Sequence, residues 1–437
     1  MSNRRVLVIA YYFPPSGGSG VQRALKFVKY LPASGWQPVV VTVDPESAAY
    51  PNLDPEMMAD VPAEVPVYKT DSWDPYNLYA GFTQTSKDSA VSVGFLSDKP
   101  ITLRERFARW LRANVFIPDA RVGWYYYALK QARKLIENEQ IDAVFTTGPP
   151  HSTHLIGRSL SRRYGLPWIA DFRDPWVDID FLEELPMTGF AKRINASLEQ
   201  SVLDESSVVL TVSPAIERKF AAKTNTTCAT IYNGFDGADF QTKTERRPDF
   251  FYVSHVGNMN AARNPEVLWR VLAKGIDTGQ FPKLKIRLVG NVDASVMQSL
   301  TSAGLDRLVE QVPYCPHHEA VGYMKVSGAL LLPINRVFSA KGIVTGKLFE
   351  YLAAGKPIIG IGPSDGDAAN IIDETMAGKM IDYENDDAMS LYLHALYNAW
   401  EKNETFLEVD AAAIAAYSRQ GQTAQLAKLL DELVTRK

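Results

Sequence analysis

Lys347 and Glu350 stand in the stretch Gly342-Ile-Val-Thr-Gly-Lys-Leu-Phe-Glu-Tyr-Leu-Ala-Ala-Gly-Lys-Pro-Ile-Ile-Gly360. A cation and a carboxylate at this spacing share one side of a helix. Thr345 is an N-cap candidate, and Gly346 lets a ligand approach the backbone. Leu348, Phe349, Tyr351 and Leu352 give the apolar helical face, and Gly355 with Pro357 stops it. Ile358–Ile361 reads as the buried strand that follows. Free amides at a helix start beside a lysine make an anion site, so this helix end suits a phosphate and a polyol together. The same residues also fit a core helix with a solvated Lys and Glu.

A second set of polar candidates lies in the first half of the chain. His151 and His154 occur in Thr147-Gly-Pro-Pro-His-Ser-Thr-His154, and Asp171, Arg173 and Asp174 in Asp171-Phe-Arg-Asp-Pro-Trp176. Each group follows an apolar strand-like run, and open parallel sheets bind ligands at such strand ends. Helix caps and surface ion pairs would use the same residue types. Pro14 to Gly20 holds Gly17 and Gly18 between a strand and a helix. Its glycines do not fit G-x-G-x-x-G, so no dinucleotide is implied. The loop suits phosphate or a sugar hydroxyl, or is a plain tight turn. Asp178-Ile-Asp180 and Asp365-Gly-Asp367 have no further ligands in pattern, and the six histidines show no metal spacing, so no metal and no cofactor are expected.

The elements that must hold these residues alternate between strand and helix. Val6–Ala10, a glycine loop, a helix with Val21, Ala24, Leu25, Val28 and Leu31 on one face, and Val39–Val43 form half of a doubly wound sheet. Residues 44–100 form a less regular excursion. Strands follow at Ala143–Thr146, Trp168–Ala170 and Val208–Val212, with helices at Tyr125–Asn138 and from about Leu155. A linker is placed from Asn233 to Pro248. Beyond it, strands at Phe251–His255, Leu284–Val289, Val309–Val312 and Ala329–Pro333 build a second sheet, with a helix from about Pro265. Arg263, Lys341 and Lys347 are its candidate phosphate counter-charges. Gln422–Leu433 is an amphipathic helix that must dock on something.

Composition bounds the class. A chain of 437 residues with 46% hydrophobic and 22% charged residues is ordinary globular material for two or three domains. A net charge of −4 gives no nucleic-acid footprint. Two distant cysteines, Cys228 and Cys315, fit a reducing compartment, and the opening apolar run reads as a strand rather than an export signal. A cytoplasmic location is expected. Residues 103–117 carry Leu103, Phe107, Trp110 and Leu111 on one helical face, with Arg104, Arg106, Arg109 and Arg112 on the remainder. Such a helix suits an anionic membrane interface, or packs its apolar face on the core.

Lys347-Leu-Phe-Glu-Tyr-Leu-Ala-Ala-Gly-Lys-Pro357 is similar to the donor-site signature of glycosyltransferase family 4. Pro-Pro-Ser-Gly-Gly at 14–18 looks like that family's first glycine loop. Thr146 to His154, Asp171 to Trp176 and Asn233-Gly234 resemble a bacterial subgroup. The resemblance implies an α/β fold of two Rossmann-like, doubly wound parallel-sheet domains facing across a cleft, the GT-B type. Its expected division is an acceptor-side domain at 1–240, a nucleotide-sugar donor domain at 241–415, and a helix at 416–437 packing on the interdomain region. It implies a retaining, metal-independent, hexosyltransferase-like enzyme of cell-surface polysaccharide or glycolipid assembly. The donor is a nucleoside-diphosphate sugar and the acceptor a glycan or lipid-linked hydroxyl, at the inner face of the cell membrane.

By position, Glu350 matches the glutamate that binds the donor ribose, and the amides at Thr345-Gly346 would meet the diphosphate. Gly257 matches a glycine that precedes the family's phosphate-binding arginine. Asn258 stands in that arginine's place, leaving Arg263 and Lys347 to supply the charge. Tyr314 to His317 would frame the base, and Gly17 and Gly18 border the donor. Asp171, Arg173 and His151 stand at the reacting centre, with Asp174 and His154 on the acceptor side. The family's second glutamate is replaced by Gly342. Two other readings stay open: an epimerase or hydrolase of the same fold, and a non-catalytic nucleotide-sugar-binding scaffold protein.

Overall fold

Val6-Leu-Val-Ile9 is apolar at every position because the strand it forms is covered on both faces. In the computed structural model, which describes residues 4–48, 50, 52–73, 103–178, 185–241 and 249–435, it is an interior strand of a seven-stranded parallel sheet. Of Ser19, 103–105 and 107–109 only the backbone is described. The strands are β1 (Arg4–Ile9), β2 (Trp36–Val43), β3 (Val67–Thr70), β4 (Ala143–Gly148), β5 (Trp168–Phe172), β6 (Val208–Thr211) and β7 (Cys228–Thr230). Their order is β3-β2-β1-β4-β5-β6-β7. The order reverses between β1 and β4, where Val6 pairs with Ala143 and Ile9 with Thr146. That reversal opens a crevice at the carboxyl ends of the two strands.

Alternate residues of β1 feed opposite layers. Leu7 and Ile9 pack with Trp124, Ala128 and Ile156, whereas Val6 and Val8 pack with Leu25, Val28 and the last helix. That helix, Arg419–Thr435, buries Leu426, Ala427 and Leu430 in the second layer. Its Asp431 accepts from Arg4 Nη1 at 2.7 Å and Trp36 Nε1 at 3.0 Å. The helix expected on an interdomain region is thus anchored in the core around β1. Thr423–Lys437 accordingly groups with Met1–Tyr232 as one unit, and Asn233–Gln422 is the other. The division falls at Tyr232/Asn233 and again at Gln422/Thr423, against the expected 240/241 and 415/416.

The second unit repeats the topology with six parallel strands: β8 (Phe251–Val256), β9 (Leu284–Val289), β10 (Val309–Val312), β11 (Ala329–Pro333), β12 (Ile358–Ile361) and β13 (Gly378–Ile381). Their order, β10-β9-β8-β11-β12-β13, reverses between β8 and β11. Leu268, Leu272, Leu288, Leu331, Ile359 and Leu393 belong to one core over this sheet. The α/β class and both doubly wound sheets agree with the sequence. Asp180 and Arg246-Arg247 lie outside the described residues, as does most of the 44–100 excursion.

Candidate functional site

In the second unit the site grows from the helix Gly346–Ala354, which follows β11 and has Thr345 as N-cap. Thr345 makes no side-chain cap bond, and its buried Oγ1 has no partner among the described residues. Gly355 closes the helix in the left-handed conformation at φ 64°. Tyr351 fixes the helix against the sheet, its hydroxyl accepting from Val256 N–H at 3.0 Å.

Lys347 lies across Gly257. A Cβ at Gly257 would fall 2.4 Å from Lys347 Cε and 2.6 Å from Nζ, and the residue has φ +108°. Only glycine meets both demands. Gly257 donates its N–H to Val289 O at 2.7 Å. Its neighbour Asn258 offers a carbonyl to His255 Nε2 at 3.4 Å and to Arg263 Nη1 at 3.5 Å. Arg263 Nε donates to Asn335 Oδ1. The second cation is therefore steered by Asn258 and Asn335 and has no carboxylate partner among the described residues.

Neither Lys347 nor Glu350 has a hydrogen bond or ion pair among the described residues. Burial holds the Lys347 ammonium below its usual range, Arg263 adds repulsion, and Glu350 opposes both. Burial likewise raises the Glu350 carboxyl, against the pull of His317, Lys347 and Arg419 and with Asp239 reinforcing it. His255, buried and donating from Nδ1 to Leu331 O at 3.0 Å, is lowered to about 4 by burial and then by Lys347. A helix start, two cations without carboxylate partners and one unpaired carboxylate are what an anionic ligand with hydroxyls would satisfy. Tyr314 follows the edge strand β10, is 81% exposed and makes no described hydrogen bond or ring contact.

In the first unit, the end of β5 supplies Asp171, Arg173 and Asp174. Asp171 is fully buried and engaged. It accepts from Arg23 Nε and Nη2, the shortest bond 2.7 Å, and from Thr147 Oγ1 at 2.7 Å. Arg23 is itself buried and reaches Tyr232 O at 2.9 Å. Arg173 spends its guanidinium on backbone carbonyls: Gly148 at 3.0 Å, Pro149 at 2.6 Å, and Gly20. It fastens the loop after β4 to the start of helix Ser19–Tyr30. Both residues hold the framework of the crevice between β1 and β4.

The free groups there are others. Asp174 has no hydrogen bond or ion pair among the described residues, and burial raises its carboxyl against the pull of Arg173. His151 stacks on Trp176 at 4.9 Å, and its buried Nδ1 has no partner among the described residues. Burial, His154 and Arg173 keep it neutral, well below the usual imidazole range. His154 lies deeper, fully buried against Phe172, with Nδ1 on Thr146 Oγ1 at 2.9 Å. Burial lowers it to about 3. Gly17 uses its amide on Asn52 O at 2.9 Å, and Gly18, at φ 94°, caps helix Ser19–Tyr30 without a side chain.

Sequence reasoning missed Arg23, His255, Asn335, Asp239 and Arg419. Arg23 alone left a signal, an arginine beside the apolar positions Val21, Ala24 and Leu25. The rest are joined to the site only by folding. Among the described residues no group of three or more His, Cys, Asp or Glu side chains could hold a metal ion.

Residues 17–234 match the family model of the glycosyl transferase 4-like domain. This chain carries a glycosyl transferase 4-like domain. The matched span closely follows the first unit, so Gly17, Gly18, His151, Asp171, Arg173 and Asp174 are all residues of the glycosyl transferase 4-like domain. No curated protein matches the chain's sequence. Among solved structures, sucrose-phosphate synthase from Thermosynechococcus elongatus superposes with a TM-score of 0.60 at 15% identity, over 99% of this chain and 100% of that one. HepE from Anabaena, in complex with UDP and glucose, gives 0.56 at 14% identity over 98% and 100%. The lipopolysaccharide outer core galactosyltransferase WaaB gives 0.56 at 12% identity over 98% and 99%. At these identities the likeness is one of fold, and the fold is GT-B: two Rossmann-like domains, here of seven and six parallel strands.

Proposed function

We propose that the protein transfers a sugar from a nucleoside-diphosphate sugar to an acceptor hydroxyl, with retention of configuration and without a metal ion. The observation that carries this reading is the set at one helix end: the Thr345–Lys347 turn, Lys347 and Glu350 without a hydrogen bond or ion pair among the described residues, and Arg263 held only by Asn258 and Asn335 there. Glu350 suits the ribose hydroxyls of the donor, and the amides of Gly346 and Lys347 suit its diphosphate. The HepE complex contains UDP and glucose on the same fold, which supports a nucleotide ligand of this type.

In the proposed reaction the anomeric C–O bond to the diphosphate breaks, and negative charge grows on the leaving oxygen. Lys347, Arg263 and the helix start stabilise that charge more than they stabilise the ground state. The acceptor oxygen bonds to the anomeric carbon from the face the diphosphate leaves. Its proton passes to a departing phosphate oxygen. His151 and Asp174, with polar atoms that have no partner among the described residues at the strand ends of the first unit, orient the acceptor. Asp171 and Arg173 act behind them by fixing both loops. The acceptor is a glycan or lipid-linked hydroxyl, in polysaccharide or glycolipid assembly at the inner face of the cell membrane.

A panel of nucleoside diphosphates and their sugars, read by thermal shift, identifies the donor, because a ligand bound to the folded state raises the melting temperature by mass action. Turnover is then followed with candidate acceptors in the presence of a chelator, and the anomeric configuration of the product is read by NMR. Inverted product, or loss of transfer on chelation, would overturn the mechanism. Conversion of donor without acceptor would make the protein an epimerase or hydrolase.

A further inference from the structure

We propose that the first unit carries a docking surface for an anionic lipid bilayer, built from three segments and reaching beyond the basic helix at 103–117. It rests on the reading above only in taking a membrane as the place of work.

The helix Leu103–Asn114 ends on a side-chain clamp. Asn114 Nδ2 donates to Trp110 O at 2.8 Å and to Pro186 O at 2.9 Å, and its Oδ1 accepts from Thr188 N–H at 2.7 Å. Thr188 in turn caps the helix Gly189–Glu205, its Oγ1 accepting from Ala191 N–H at 3.2 Å. One asparagine thus locks the end of one helix to the start of another. Within a turn of this clamp stand Trp110, Val115 and Phe190, respectively 41, 55 and 74% exposed. Phe116 extends the surface to the end of β3, where its ring meets that of the exposed Trp73 at 6.3 Å.

Large apolar side chains gathered in the open mark a surface that meets something. Charge says what. Arg106, Arg112, Lys192 and Arg193 are exposed around these residues, and Arg104 and Arg109 lie on the same helix. Residues 103–117 hold one acid, Glu105, and residues 185–193 hold none. Trp and Phe interleaved with Lys and Arg fit the headgroup level of an anionic leaflet, where rings insert and cations meet lipid phosphates. Like charge disfavours a second copy of the same patch. Among the described residues no helix is long and apolar enough to cross a membrane, so the contact described is a lateral one.

The test is co-sedimentation of the full chain with vesicles of mixed phosphatidylcholine and phosphatidylglycerol, against vesicles of phosphatidylcholine alone. Binding to the mixed vesicles only, released by salt, is expected. Lys192→Gln with Arg193→Gln should weaken it about 25-fold, roughly fivefold for each cation near the surface. Phe190→Ser should weaken it as well, and Asn114→Ala should reproduce the loss by uncoupling the helices. All these variants should keep the melting temperature response to nucleotide, since none touches the Lys347 site. Equal binding to both vesicle types, or none to either, overturns the proposal. So does a dimer in sedimentation equilibrium that Phe190→Ser dissociates. Vesicle binding without any nucleotide response would instead sink the transferase reading and leave this one standing.

Discussion

Replacing Lys347 by methionine separates stability from function at the proposed donor site. Methionine keeps the length of the stem that lies over Gly257 and removes the charge. In the free protein that charge is half-buried with no described partner, and burial holds its pKa below 10.5. Relieving it should stabilise the ligand-free protein by about 0.5–2 kcal/mol, the usual yield of removing one local conflict. In a unit the size of Asn233–Gln422 that is a rise of roughly 1–8 °C in melting temperature. The pH dependence has a definite sign. Between the lowered folded pKa and 10.5 the unfolded chain holds the proton and the folded chain does not. Wild-type stability therefore rises with pH across that window. The advantage of Lys347→Met is full at neutral pH and shrinks as pH climbs toward 10.5. Turnover should move the other way. Losing one charge-assisted contact to a departing phosphate costs about 2–4 kcal/mol in the transition state, or roughly 30- to 1000-fold in rate. Differential scanning fluorimetry with and without nucleoside diphosphate, beside initial-rate measurement, reads both effects. A variant that melts below wild type would show the ammonium to be stabilising in the free protein. Near-wild-type transfer would remove Lys347 from the reaction.

Three further outcomes follow from the geometry. Asp171→Asn should act on stability, because it leaves the buried Arg23 guanidinium without its carboxylate. The expected loss is about 3–5 kcal/mol, seen as a lower melting temperature; unchanged melting with abolished transfer would move Asp171 from framework to chemistry. Glu350→Gln should stabilise the ligand-free protein at neutral pH, since the raised pKa means the ionised form is penalised in the fold. That gain should fade as pH falls through the folded pKa and vanish below 4.5, while nucleotide-sugar affinity drops at least about tenfold with the lost ribose contact; equal affinity by calorimetry would refute the ribose role. Buried His255 and His154 resist protonation in the fold and accept it when unfolded, so stability should fall below pH 6.5, by about 1.4 kcal/mol per pH unit for each, down to about 4 and about 3. Denaturant titration of His255→Gln at pH 7 and pH 5 should show a smaller loss than wild type.

How far the sequence could be read depended on range. Ala329–Pro333 and Ile358–Ile361 came through residue for residue, because a strand buried on both faces is written as an unbroken apolar run; Leu284–Val289 and Val309–Val312 also did, although each carries two polar residues. The edge strands Val67–Thr70, Cys228–Thr230 and Gly378–Ile381 did not, being three or four residues long and only partly covered. Asp171 illustrates the limit at the site. Its place at a strand end pointed to chemistry, but its carboxylate is consumed by an arginine 148 positions earlier. Asp174, three residues on and equally acidic in sequence, has no hydrogen bond or ion pair among the described residues.

Local pattern, then, determined the class of the protein: two alternating α/β units, a helix opening at Thr345 with a lysine and a glutamate on one side, and polar loops at the carboxyl ends of strands. These rest on interactions within a turn of helix or one strand, which neighbouring residues specify. The tertiary structure decided which polar groups are already satisfied and which are left for a ligand. It set Lys347 over Gly257, turned Arg263 with Asn258 and Asn335, and spent Asp171 and Arg173 on holding loops. It also carried the last helix back to the first sheet. Burial and partner choice depend on the whole packed chain, because desolvation and charge pairing are settled by whatever the fold brings near.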